Sequence, residues 1–284
     1  MSVGTLFVVA TPIGNLEDIT LRALRVLRDA DVIAAEDTRR TAKLLAHHAI
    51  PTSTVSFHEH NSRSRIPQLL SRLQAGQKVA LVTDAGTPGV SDPGVELVRA
   101  CVDAGIPIDP IPGASAPLAA AIASGFPLEP LTLLGFPPTK AKDRSAWFSS
   151  ASSLSGTVCF FEAPHRITRT LGEAAQYFGD RPIVVGRELT KIHQEFLRGT
   201  AEELAGRLEA PRGEFTVVVG PSGRVSKIDT SPVSDEQLAA EFGQDLEGND
   251  LRRREVVARL ARRYGRPVRE VYAAIERGKK SSRA

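Results

Sequence analysis

The sequence predicts an α/β protein of two lobes with a small helical extension at its C-terminus. Short apolar runs of strand size alternate with segments of helical period as far as residue 220. The alternation completes one α/β half near residue 123 and then resumes, and past Pro221 the composition turns polar and then basic. The predicted divisions are therefore 1–123, 124–223 and 224–284. With 284 residues and 42% hydrophobic content, the chain is long enough for more than one core.

The first half opens with the buried-strand run LFVVAT (6–11), the loop PIGNLED and a helix, ITLRALRVLRDA, with Leu21, Leu24 and Leu27 on one face. VIAA (32–35) reads as a strand, and Asp37 or Thr38 can cap the helix TRRTAKLLAHHA. SFHEHN ends a third extended piece. Ser62 then caps a helix carrying Ile66, Leu69, Leu70 and Leu73 that stops at Gly76. The strand KVALVT (78–83) leads into a loop dense in Gly, Pro and Asp. Asp92 and Pro93 supply a cap and a first-turn proline for the helix GVELVRACVDAG, closed by Gly105. IPIDPIP and a helix after PGASA complete this half.

In the second half, LTLLGF (131–136), TVCFFE (157–162), PIVVGREL and EFTVVVG (214–220) read as extended runs. Helices are expected around 141–150, over HRITRTLGEAAQYFG and near 200–209. SGRVSKIDTSPVSDEQ reads as a linker. LRRREVVARLARRYG and PVREVYAAIERGK form two short helices joined at Gly265-Arg266-Pro267, with Val256, Val257, Leu260, Val271, Tyr272 and Ile275 packing together.

The net charge of +3 conceals an asymmetry: residues 252–284 hold twelve Lys or Arg against three Glu, a balance of +9, and residues 1–251 carry −6. Such a tail fits a nucleic-acid module and equally a solvated surface helix. Cys101 and Cys159 lie inside apolar segments and are expected to be inert core residues of a reducing compartment. The absence of a basic segment leading a long apolar run leads us to expect a cytoplasmic protein without a signal peptide or membrane span.

Several familiar sites are excluded. PIGNLED has one glycine where the dinucleotide fingerprint needs three, and neither GxxxxGK[ST] nor GxSxG occurs. His58 and His60 lack a matching cluster, so hydrogen bonding at a loop mouth is expected and no metal. Two stretches remain. In ALVTDAGTPGVSDPG (80–94) and IPGASA (111–116), glycines and prolines preshape loops at neighbouring strand ends. Together they would form a pocket rich in main chain and poor in cations, better suited to a neutral or positively charged cofactor than to a phosphate.

The ordered motifs VATPIGNLEDITLRALRVLRDADVIAAEDTR, SFHEHN, LVTDAGTPGVSDPG, IPGASA, FFEAPHR and RELTKIHQEFLRG closely resemble those of the 16S rRNA (cytidine-2′-O)-methyltransferases of the tetrapyrrole methylase superfamily. The resemblance spans about residues 5–220. It implies the two-lobed fold of the class III methyltransferases, S-adenosylmethionine bound between the lobes, a homodimer, and as substrate a cytidine ribose in the decoding region of the rRNA, free or in the 30S subunit. The implied cofactor residues are Ile13, Gly14, Thr87, Pro88, Gly89, Val90, Ser115, Ala116, Phe161, Glu162 and Leu189. Many tetrapyrrole-modifying relatives carry Gly-Asp-Pro where this chain has Gly86-Thr87-Pro88. No carboxylate role falls there, which argues against a porphyrinoid substrate. A methylase of the same fold acting on a tetrapyrrole or a protein side chain, and a noncatalytic RNA-binding protein, are the rival readings.

Transfer to a ribose hydroxyl requires alignment with an electrophilic methyl group and a proton acceptor. Candidate bases near predicted strand ends are Glu36, Asp37, Asp84, Glu162 and Lys191; Asp37 has an alternative use as a cap, and Asp92 is assigned to capping. Asn15, Arg39, His58, Asn61 and Arg166 are placed on the RNA side.

Overall fold

The computed structural model describes residues 3–208, 212–222, 233–248, 253–264 and 266–281. The chain divides into two compact units, Met1–Gly223 and Arg224–Ala284. The first contains both sheets.

The first sheet is wholly parallel, with strand order β3-β2-β4-β1-β5: β1 (Leu6–Val9), β2 (Val32–Ala35), β3 (Thr54–Ser56), β4 (Val79–Val82) and β5 (Ile108–Ile111). All four residues of β2 and of β4 are buried. Period-two alternation divides them between the faces. Val32, Ala34, Val79 and Leu81 join Leu69, Leu73, Leu97 and Cys101 of α3 (Ser62–Gln74) and α4 (Val95–Asp103). Ile33, Ala35, Ala80 and Val82 meet Ala23, Leu27 and Leu45 of α1 (Leu21–Asp29) and α2 (Thr38–His47). Burial pushes the Cys101 thiol up to about 11 and that of Cys159 to about 12, in keeping with inert core residues.

The helices correct three expectations. The buried face of α1 is set by Ala23 and Leu27; Leu21, two residues from Ala23 and so on the opposite side of the turn, is 86% exposed. Asn61, not Ser62, occupies the N-cap position of α3, and Ser62 is a buried first-turn residue whose hydroxyl donates to the Glu59 carbonyl. Gly94, not Asp92, is the N-cap of α4. Asp37 does cap α2, accepting from the Arg39 amide.

The second sheet has the order β6-β7-β10-β8-β9: β6 (Leu131–Leu133), β7 (Thr157–Glu162), β8 (Ile183–Arg187), β9 (Glu195–Gly199) and β10 (Phe215–Val219). Only β6 and β7 pair in parallel. Sequence reading passed over β9 because an edge strand with one buried residue, Leu197, has no apolar run to announce it. One face packs Phe160, Val185, Phe215 and Val217 against Phe148, Ile167 and Leu171 of α6 (Ala141–Ser152) and α7 (Ile167–Phe178), with α8 (Ala201–Arg207) beside them. The other face presents Cys159, Val184 and Val218 to Ala120 of α5 (Ala116–Ser124), the last helix of the first lobe.

Beside that core, the buried Arg144 donates through Nε and Nη2 to both oxygens of Glu173, at 2.6 and 2.8 Å, and through Nη1 to the carbonyls of Pro138 and Thr139. It thereby fixes the segment that follows β6.

Among the described residues the second unit has three helices rather than two: α9 (Asp235–Gly248), α10 (Arg253–Arg263) and α11 (Val268–Ser281). The expected linker therefore ends in a helix start. Ser234 and Gln237 exchange side-chain and backbone hydrogen bonds as a capping box. Leu238 and Phe242 complete a core with Val256, Val257, Leu260, Val271 and Ile275, whereas Tyr272 is 58% exposed instead of packing there. Gly265 and residues 223–232 of the expected linker lie outside the described residues. Among the described residues no helix is long and apolar enough to cross a membrane.

The Arg144 guanidinium beside Glu173 holds its carboxyl down at about 2. Such a depressed carboxylate contributes stability above its unfolded pKa, and that contribution is lost as pH falls through the folded value. Glu173→Gln is expected to cost about 2 kcal/mol at neutral pH. It should also flatten the fall in urea midpoint between about pH 4.5 and 2.

Candidate functional site

The loop after β4 is bent back by its own hydrogen bonds. Gly86 exchanges backbone bonds with Thr11, at 2.9 and 3.0 Å, tying this loop to the one after β1. The Thr87 hydroxyl reaches the Ala114 carbonyl, so the loop preceding α5 is held alongside. Further on, Ser91 has φ 65° and Gly94 φ 140°. At Gly94 a Cβ would lie 2.9 Å from Leu81 Cδ2, so close packing and backbone angle both demand glycine. With Gly94 in the capping place, the Asp92 side chain is released from helix capping and sits half-buried.

These loops form one side of a cavity of about 330 Å³, with Ile13, Thr87, Val90, Asp92, Ser115 and Ala116 in its wall. The second lobe supplies Phe136, the Phe161–Pro164 strand end and Glu214–Thr216 from the start of β10. The walls are largely apolar, and among the described residues that line them the charged ones are the carboxylates Asp92, Glu162 and Glu214. A more polar cavity of about 570 Å³ adjoins, lined by Glu36, His58, Glu59, His60 and Glu96. The two share Ser91 and Asp92.

The carboxylates differ in their partners. Glu162 is fully buried: one oxygen accepts from the Ala163 amide and the other from the Thr170 hydroxyl, with Arg166 at 3.2 Å. Asp84 accepts from the Asp37 amide and pairs with Arg40 at 3.4 Å. The Arg39 side chain and amide hold Asp37 well below the usual carboxylate range. Asp92 has the opposite environment. Burial, followed by the negative charge of Glu36, pushes its carboxyl up to about 7.

Of the residues expected at the cofactor, Ile13, Thr87, Val90, Ser115, Ala116, Phe161 and Glu162 line the first cavity. Gly14, Pro88, Gly89 and Leu189 lie outside its wall. Gly14 is in close approach to the 189–191 turn, where a Cβ would fall 2.8 Å from the Leu189 carbonyl oxygen. Pro88 is buried beside Gly94, Gly89 lines the second cavity, and Leu189 packs with Ile13.

Among the expected bases, Glu36 faces the second cavity and its Oε2 accepts from the Asp84 amide at 3.1 Å. Lys191 lines neither cavity. Burial opposes its charge, but hydrogen bonds to Glu188 and Glu214 outweigh that and raise its pKa, so it carries a proton at neutral pH and cannot accept one.

On the expected RNA side, His58 lines the second cavity, and Asn61 fixes it by accepting from the His58 amide. Arg39 is exposed and paired with Asp37. Asn15 bonds to Glu17 and Thr190, while Arg166 is held by Glu162 and the Pro137 carbonyl. Among the described residues no group of three or more His, Cys, Asp or Glu is placed to hold a metal ion. Sequence reading missed Phe136 and Glu214–Thr216, which approach only through tertiary structure, and took Asp92 for a cap on the evidence of its Asp-Pro dipeptide.

Residues 5–205 match the tetrapyrrole (corrin/porphyrin) methylases. The chain is 43% identical over 272 residues to the ribosomal RNA small subunit methyltransferase I of Halalkalibacterium halodurans, covering 95% of this chain and 93% of that protein. Its counterpart in Synechocystis sp. is also 43% identical, over 95% of this chain and 96% of that one. In fold the chain resembles the uroporphyrin-III C-methyltransferase of Thermus thermophilus, solved in complex with S-adenyl homocysteine, with TM-score 0.56 and 20% identity over 76% of this chain and 97% of that one.

Gly94→Ala should shift the start of α4 and destabilise the protein by about 1–3 kcal/mol, read as a lower thermal midpoint. An unchanged midpoint would show that the loop tolerates a Cβ and that Asp92 is not held by it.

Proposed function

Because the chain belongs to the tetrapyrrole (corrin/porphyrin) methylases, in the branch of the ribosomal RNA small subunit methyltransferases I, we propose that its target is the 2′-hydroxyl of a cytidine ribose in the decoding region of small-subunit rRNA. The chain is a methyltransferase that uses S-adenosylmethionine. The observation that carries the cofactor assignment is the wall of the first cavity, apolar and acidic without a cationic side chain among its described residues. That composition fits a sulfonium cation joined to a nucleoside and disfavours a phosphorylated cofactor.

Ile13, Thr87, Val90, Ser115, Ala116 and Phe161 would hold the cofactor, with Glu162 bracing the strand end beneath it. Gly14 and Leu189 support this wall from the turn at 189–191. When bound, S-adenosylmethionine supplies an electrophilic methyl group. The protein's part is to align the ribose hydroxyl, exclude water and receive a proton. The exposed Arg39 and the cavity residue His58 would face the RNA.

The second unit would add affinity without reading sequence: Arg253, Arg254, Val268, Arg269 and Tyr272 line one pocket, joining cations for phosphates to an exposed ring on which a base can stack. A homodimer belongs to the same reading, supported by Leu118 and Ile122, exposed one turn apart on α5. Sedimentation at the monomer mass across micromolar concentrations would remove it.

With labelled cofactor and small subunits from cells lacking the modification, label should enter one cytidine ribose, located by mass spectrometry. Label on a tetrapyrrole or protein and none in rRNA would overturn the substrate assignment. Ala116→Phe, which fills the first cavity, should weaken cofactor binding in calorimetry at least tenfold. Arg254→Glu with Arg269→Glu should leave cofactor affinity unchanged, weaken rRNA binding and reduce its salt slope by about two.

A further inference from the structure

A methyl donor in one cavity and an acceptor in its neighbour can react only where the two meet. That place is Ser91–Asp92, and among the described lining residues Asp92 is the one ionisable group common to both walls. Resting on the reading that the first cavity holds the methyl donor, we propose that the second cavity seats the acceptor nucleotide and that the Asp92 carboxylate takes the proton from its ribose 2′-hydroxyl.

The backbone supports this placement. Ser91 holds a left-handed conformation that a side chain ordinarily avoids, and Gly94 a conformation open only to glycine, on either side of Asp92 and Pro93. Strain of this kind persists where surrounding structure fixes the chain, and here it aims one carboxylate at a boundary. The other candidates are engaged elsewhere. Glu162 has both oxygens bonded, Asp84 braces the Asp37 amide, Asp37 caps a helix and Lys191 is protonated. Glu36 reaches only the second cavity, where its charge keeps Asp92 basic.

The second cavity suits a sugar and base rather than a phosphate. Its wall holds Glu36, Glu59 and Glu96, which repel phosphate, together with His58, whose Nδ1 is buried without a hydrogen-bond partner among the described residues. In the step, the hydroxyl O–H bond breaks and the proton passes to an Asp92 oxygen. The electron pair left on the ribose oxygen forms the new bond to the methyl carbon, and the pair of the broken S–C bond stays on sulfur. The positive charge of the sulfonium and the negative charge of the carboxylate are both consumed. A carboxyl near 7 is a far better base than an ordinary aspartate while remaining about half ionised at neutral pH.

The ionisable groups around Asp92 are Glu36, Asp84, His58, Glu59, His60 and Glu96 from the first lobe, and Glu162 and Glu214 from the second. Asp92 itself is therefore to be observed directly. In ¹³C-carboxyl NMR of the full-length protein it should titrate near pH 7, with the midpoint moved down in Glu36→Gln. In single-turnover transfer to small-subunit rRNA at saturating cofactor, Asp92→Asn should slow the reaction at least a hundredfold. The rise of rate with pH expected of the wild type should also disappear. A wild-type rate in Asp92→Asn at saturating cofactor, or a midpoint in the ordinary aspartate range, would each overturn the assignment. If the wild-type protein transfers no label to rRNA, the substrate reading fails instead, and the NMR midpoint still decides whether Asp92 is a poised base.

Discussion

The packing of α5 on the second sheet sets the distance between the lobes, and the site depends on that distance. Ala120 and Ala121 are fully buried, and Ala120 clusters with Cys159, Val184 and Val218 on the sheet face opposite the second lobe's own core. Small side chains let helix backbone and strand backbone come close, and dense packing there tolerates little change in volume. The N-terminal end of the same helix supplies Ser115 and Ala116 to the cavity, while β7 and β10 supply Phe161 and Thr216. One apolar seam thus brings two sets of strand ends to a common opening. The approach of Gly14 to the 189–191 turn, with the Asn15 amide bonded to Thr190, braces the lobes at a second point.

Around the opening, charge is sorted by partner. Arg144 and Arg166 hold carboxylates and the carbonyls of the 137–139 segment, so the cations of the second lobe nearest the cavity serve its frame. Lys191 is likewise held between two glutamates. The interior is left to acidic and apolar groups. In such surroundings one carboxylate raises the proton affinity of another, and the result at Asp92 is a group whose ionisation is set by its neighbours.

Much of this was legible in the sequence, for identifiable reasons. The alternation of VIAA and VALV with amphipathic segments marked buried strands because two faces of one sheet both had to be covered. The density of Gly and Pro at 80–94 and 111–116 marked loops with main-chain work to do. What escaped depended on tertiary context. The Asp-Pro of residues 92–93 has the composition of a helix start, but the N-cap falls two residues on, at Gly94, whose φ of 140° and lack of room for a Cβ beside Leu81 suit glycine. The strand EFLRG is an edge with one buried side chain, and the helix from Asp235 begins inside a polar stretch that its capping box organises. Leu21 and Tyr272 matched helical spacing, yet the faces that pack are set by Ala23 and by Val271 with Ile275. The contribution of Glu214–Thr216 to the cavity follows from β10 lying between β7 and β8, a strand order that no local signal encodes.

The two sides of the cavity have unequal freedom to move. Thr216 belongs to a strand hydrogen-bonded along both edges, with all five residues buried, so its amide exchange is tied to opening the whole sheet. The facing segment, 87–92, lies in a loop held by a few bonds, including the turn from Val90 to the Thr87 carbonyl. Of the two sides, the first lobe's loop has the fewer backbone bonds to break. Local opening is therefore less costly in that loop than in the paired strand that faces it across the cavity.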